Sequence, residues 1–260
     1  MDRTSHTLPQ RVTAVLHARQ YIVFFAIGMY TLDLAVALGA AWLYRREPLA
    51  ELLRSGGPLA DAVAARSVLI AAVFIVYLLI STWLRAGYIR SLVGPLHLRP
   101  ADRRQFLRLL ALQLALEVVG ALVAGAVVLA GDDPLPVNAV FLVLLAFNFV
   151  VLYADYIIVI GDVGPLRAVA LSWRTVKATL VPSALVLLTV SLVGIYATQL
   201  LDENVTGSVA RALPMMLVQC VIMGSVLFVA DVVLVVLYLD AAETGRLTPK
   251  PRSTGDGRIL

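Results

Sequence analysis

Residues 213–239 read LPMMLVQCVIMGSVLFVADVVLVVLYL, an apolar run interrupted by one charge, Asp231. At 1.5 Å of rise per helical residue, about 20 such residues cross a hydrocarbon layer about 30 Å thick, so this run can span a bilayer with length to spare. Five more runs approach that length: Tyr21 to Tyr44, Ser67 to Ile89, Leu107 to Ala130, Val137 to Ile160 and Leu180 to Leu201. Composition agrees. The chain is 60% hydrophobic and 15% charged, with a mean hydropathy of +0.90, whereas a soluble domain carries about 45–50% apolar and about 25% charged residues. The sequence therefore predicts an all-α integral membrane protein with six transmembrane helices. Pro182 and Pro214 are placed in the first turns of their helices, where a missing N–H costs little.

Orientation follows from the basic residues. Sixteen of the 21 Lys and Arg fall on one side of the six spans; Arg45, Arg46, Arg54, Arg66 and Arg211 fall on the other. That asymmetry predicts both termini in the cytoplasm. The outer turn Gly131–Pro136, with Asp132 and Asp133 and no base, agrees, while the arginine-rich loop 45–66, with a short helix expected at Leu49 to Leu53, is the exception. Basic loops beside apolar spans also account for the pI of about 9.4. The bases are not gathered on one folded surface, so no nucleic-acid partner is expected. The preference for Arg over Lys is associated with GC-rich bacterial genomes, and the expected location is a bacterial cell membrane. Residues 1–244 form one transmembrane domain, and 245–260 read as a disordered cytoplasmic tail.

The chain repeats. RAGYIRSLVGPL begins at Arg85 and DYIIVIGDVGPL at Asp155, 70 residues later, so two even-numbered spans end in Val-Gly-Pro-Leu. A stretch of amphipathic character precedes each odd-numbered span: Pro9 to Gln20, Arg99 to Arg108 and Pro165 to Ala178. In the last, Leu166, Val169, Ala170, Trp173 and Val176 make an apolar stripe, while Arg167, Arg174 and Lys177 lie off it. The expected architecture is three modules of interfacial helix plus transmembrane hairpin; the helix Pro165 to Ala178 lies flat, its stripe buried against acyl chains or neighbouring helices. On this reading a charge at Trp173 harms the protein and one at Thr175 is mild.

The segment Gly164-Pro165-Leu166-Arg167-Ala168-Val169-Ala170-Leu171-Ser172-Trp173-Arg174, following Tyr153-Ala154-Asp155-Tyr156, resembles bacterial and archaeal six-helix membrane proteins related to the membrane domain of glycerophosphoryl diester phosphodiesterases. Leu237-Tyr238-Leu239-Asp240 is similar to the end of their last helix. The chain departs from their pattern at Lys177-Ala178-Thr179. The resemblance implies the six-helix layout and carries over no catalytic residue, since the phosphodiesterase of such proteins is a separate soluble domain.

Four acids lie inside the spans: Asp33, Glu117, Asp155 and Asp231. Asp33 and Glu117 fall about 16–18 Å from the cytoplasmic ends of their helices, where a charge costs about 2.5–3.5 kcal/mol on insertion scales. Both are expected to face the bundle interior, with Asn148, Gln113, Gln199 and Gln219 as hydrogen-bonding partners. Either they relay protons or cations, or they are neutral groups joining helices. Arg85 is expected to bridge Asp155 or Asp231, or else to snorkel to lipid phosphate. Gly120, Ala121, Ala124 and Gly125 supply the spacing for close helix contact.

Enzymatic chemistry has little to work with. His6, His17 and His97 fall outside the spans, Cys220 is a lone packing residue, and H-E-x-x-H and G-x-S-x-G are absent from the sequence. No cofactor or metal is called for. The first expectation is a non-enzymatic protein that organises membrane lipids, other membrane proteins or a second copy of itself; a small transporter or lipid translocator using the intramembrane acids is the alternative, with a membrane-embedded enzyme a distant third.

Overall fold

The structure, a computed structural model, describes residues 7–45, 58–97, 100, 102–130, 143, 145–205 and 209–244. The expected short helix at Leu49 to Leu53, the turn holding Asp132 and Asp133, and the tail 245–260 lie outside those residues. Among the described residues the chain is all-helical, with no strand. In order come α1 (Leu8–Arg19), a 3-10 turn (Gln20–Ile22), α2 (Val23–Arg45), α3 (Pro58–Val93), α4 (Arg103–Ala130), α5 (Leu145–Gly161), α6 (Pro165–Ala178), α7 (Leu180–Val205) and α8 (Val209–Glu243). Five stretches are long and apolar enough to cross a membrane, or six if α5 and α6, bent by 120°, count as one span. That is compatible with a multi-pass membrane protein.

The helix boundaries have local causes. Gln10 returns its side chain to the Thr7 N–H at 3.0 Å, and Pro9 sits in the first turn of α1, where it removes no helical bond. Asp102 accepts from the Gln105 N–H at 2.6 Å and so caps α4. Asp162 ends α5 in the left-handed region at φ 50°, which short polar side chains tolerate. Arg108 holds it there, donating to the Asp162 carboxylate at 2.6 Å and to its carbonyl at 2.8 Å. Inside α5 the helix turns at Leu152 and Tyr153. There the Tyr153 N–H donates to Ser172 Oγ of α6 at 3.0 Å. After α3, Ser91 Oγ accepts from the His97 N–H at 2.8 Å and closes the first Val-Gly-Pro-Leu turn. Desolvation, and then the Arg90 charge, hold the His97 imidazole below its ordinary pKa.

The dense core lies toward one end of the bundle. It gathers Val15 of α1, Ile22, Tyr88 to Leu92 at the end of α3, Leu109 near the start of α4, Tyr153 to Val159 of α5 and Val232 to Ala242 of α8. α8 is the central helix: 61% of its most apolar stretch is buried, against at most 33% for the other four spans. Its close approach to α2 is made at Gly224, where an added Cβ would sit 2.5 Å from Ile27 Cα. Backbone cannot yield as a flexible side chain can. Gly224→Ala should therefore force α2 and α8 apart and cost roughly 1–3 kcal/mol, measured by thermal unfolding in detergent. Gly28→Ala on α2, which meets nothing within 4 Å, is the control. Equal melting temperatures for the two variants would refute the close-approach assignment.

Several expectations require correction. Gly120 meets nothing within 4 Å and Ala121 is exposed, whereas Gly224 does meet a neighbouring helix; the surroundings of Ala124 and Gly125 lie outside those described. Pro214 lies inside α8, which starts five residues earlier at Val209. Of the stretch Arg99 to Arg108, the residues from Arg103 belong to α4, which runs unbroken with Asp102 as its cap. α3 and α8 also extend well beyond the apolar runs that located them.

The face of α6 that packs inward shares only one edge of the apolar stripe, Val169 and Val176; Leu166, Ala170 and Trp173 face outward. Ala168, Leu171, Ser172, Thr175 and Val176 are buried, while Leu166 is 88% and Trp173 41% exposed. Beside Leu171 and Val176 the inward face carries the small or hydroxylated Ala168, Ser172 and Thr175, which let α5 come close, and Ser172 serves the α5 turn. The outward surface is divided. Leu166, Ala170 and Trp173 form its apolar part, and Arg167 and Arg174 lie beside it. The Lys177 ammonium sits 4.8 Å from the Trp173 ring centroid.

Candidate functional site

Polar residues at helical spacing can build a buried site inside an apolar bundle. On α3, Tyr77, Ser81, Arg85 and Tyr88 follow one another at intervals of four, four and three, which puts them on one face. That face lines a cavity of about 320 Å³, completed by Ala26, Met29, Tyr30 and Asp33 of α2, Gln113 of α4, Asp155 of α5, and Leu227 and Asp231 of α8. From Arg85 to Tyr77 the cavity runs about 12 Å along α3.

Arg85 forms the floor. Its Nε–H donates to Asp155 Oδ2 at 2.9 Å, Nη1 to Asp231 Oδ2 at 2.9 Å, and Nη2 to Asp231 Oδ1 at 3.3 Å and to Tyr156 Oη at 3.2 Å. The Tyr156 hydroxyl in turn donates to Asp231 Oδ1. The rings of Tyr88 and Tyr156 lie 5.5 and 5.4 Å from the guanidinium carbon. With side chains only 20%, 17% and 11% exposed, Arg85, Asp155 and Asp231 form one buried cluster joining α3, α5 and α8. Arg85 thus reaches both carboxylates at once and does not extend outward. Such bidentate, charge-assisted pairs fix geometry as well as charge.

Asp33 stands toward the other, open end of the cavity, where it lines the wall but is exposed, not enclosed as expected. It accepts from Tyr77 Oη at 2.8 Å, so its partner is a tyrosine rather than one of the expected amides. A phenol reaches it because α2 and α3 present Asp33 and Tyr77 to the same cavity. Gln113 lines that cavity, Gln219 donates to Tyr30 Oη at 3.4 Å, and Asn148 and Gln199 are exposed. Glu117 is also exposed and is not among the cavity-lining residues, correcting the expectation that it faces inward. It lies four residues, about one helical turn, beyond Gln113 on α4. Arg167, Trp173, Arg174 and Lys177 of α6 are exposed on the helix surface and take no part in the site.

The chemistry follows from the charge count. Among the lining residues one guanidinium faces three carboxyls, a formal charge of −2 if all are ionised. Arg85 is engaged on both edges, which leaves an incoming anion little to bind. The remaining groups, Asp33 and the oxygens of Tyr30, Tyr77, Ser81 and Gln113, are hard acceptors suited to a proton or a small cation. The Tyr88 hydroxyl, on a fully buried ring, has no hydrogen-bond partner among the described residues. No group of three His, Cys, Asp or Glu placed to hold a metal occurs among the described residues.

The cluster was partly legible in the sequence, through Arg85, Asp155 and Asp231. The tyrosines carry a fainter signal in the sequence: Tyr77, Arg85 and Tyr88 share one helical face with Ser81. No protein-family model matches the chain, and neither a curated protein nor a solved structure matches it.

Proposed function

We propose that this chain is a six-span protein of the cell membrane, with both ends in the cytoplasm, that takes a proton or small inorganic cation into the cavity between Arg85 and Asp33. The observation carrying the reading is the cavity itself, lined by three carboxyls against one guanidinium. In hydrocarbon an uncompensated carboxylate is expensive, and a proton or cation is the cheapest compensation. The 16-to-5 distribution of Lys and Arg supports the orientation. On that orientation the Arg85 cluster would lie nearer the cytoplasmic surface and Asp33 deeper.

Flux of H⁺, Na⁺ and K⁺ into vesicles reconstituted with the purified protein tests this. Wild type should exceed empty vesicles for at least one ion, and Asp33→Asn should lose about tenfold or more of that flux. The amide still accepts from Tyr77, so the fold should survive. Wild-type flux no greater than that of empty vesicles, or full flux in a folded Asp33→Asn protein, would defeat the transport reading. A second reading, a scaffold that organises partner proteins at the cytoplasmic face, is favoured by the divided outward surface of α6.

A further inference from the structure

A second cavity lies on the surface between the start of α4 and the start of α6. It measures about 480 Å³ and is lined by Arg103, Arg104, Leu107, Arg108, Ala111 and Pro165. Arg108 is held by Asp162. Arg103 and Arg104 are exposed and have no partner among the described residues. Below them the lining turns apolar, and the exposed side chains continue down α4 through Leu107 and Leu114, each 49% exposed. α4 and α6 both begin beside this groove, at Arg103 and Pro165, so two helix dipoles add positive potential to the arginines.

We infer that the groove binds an anionic phospholipid, its phosphate among Arg103, Arg104 and the start of α6, its acyl chain along Leu107 and Ala111. The pairing of base above apolar surface decides between occupants. A free phosphate would use the arginines and leave the apolar lining idle, whereas a lipid uses both. The inference is independent of the acid-lined cavity, which lies on other faces of the bundle.

The test uses the full chain in nanodiscs of phosphatidylcholine with a minor fraction of phosphatidylglycerol, counting phosphatidylglycerol retained on the protein by native mass spectrometry. Arg103→Gln with Arg104→Gln should lower its affinity roughly tenfold or more. Arg174→Gln with Lys177→Gln removes the same charge away from the groove and should change it less than twofold. Millimolar inorganic phosphate should not displace the lipid. Equal losses from the two double variants would show only diffuse surface attraction and overturn the site. Displacement by phosphate would overturn the lipid assignment. Both pairs are exposed, so the proteins should fold, which a single symmetrical elution peak verifies.

Discussion

Arg85→Leu should unfold this protein or lower its stability by about 3–5 kcal/mol, because it strands Asp155 and Asp231 in a buried site with no positive charge between them. Against total stabilities of about 5–15 kcal/mol that loss is severe. Arg85→Lys should rescue only in part. A single ammonium cannot present one edge to Asp155 and another to Asp231, as the guanidinium does. The informative variant is the triple replacement of Arg85 by Met and of Asp155 and Asp231 by Leu. With no buried charge left unpaired, it should recover most of the stability that the single substitution loses. Thermal unfolding of the purified variants in detergent, followed by intrinsic fluorescence, gives all three values. An Arg85→Leu protein as stable as wild type would mean that the cluster does not hold α3, α5 and α8 together.

The next largest effect is expected at Thr175. Its side chain is fully buried and its hydroxyl donates to the Leu171 carbonyl at 3.0 Å. Glutamate there adds volume to a packed face and buries a carboxyl without a partner, at a cost on the order of 3 kcal/mol or more. Trp173→Glu is the comparison. Trp173 is 41% exposed, so its replacement leaves the packing of α6 against α5 in place and should cost on the order of 1 kcal/mol or less. This order reverses the one that the apolar stripe alone predicts. Melting temperatures of the two variants decide it, and a Thr175→Glu protein at least as stable as Trp173→Glu would return the stripe to the inside.

The cluster also shows how far one repeat can be read. Arg85 and Asp155 occupy matching positions, 70 residues apart, in the two strings that end in Val-Gly-Pro-Leu, and they meet at 2.9 Å. Their opposite charges made the pair conceivable from sequence. That Asp231 of α8 joins the same guanidinium, and that Tyr156 bonds both Arg85 and Asp231, depends on how three helices cross.

By itself the sequence determined the helical class, the approximate places of the long apolar helices, the Gly-Pro breaks and the inventory of polar groups within the runs, because length and hydropathy act locally along a chain. Only the tertiary structure decided which face of α6 packs inward, that Tyr77 rather than an amide meets Asp33, that Glu117 stays outside the cavity, and that Gly224 is where α8 touches α2. The physical reason lies in the solvent. In water an apolar stripe marks the inside of a protein. Around helices this apolar the outward side chains are as hydrophobic as the inward ones, as exposed Phe24, Leu122 and Leu166 are, so hydrophobicity no longer separates core from surface. Close approach and hydrogen bonding make that choice instead, through Ala168, Ser172, Thr175 and Gly224, and those are properties of two helices together that neither helix carries alone.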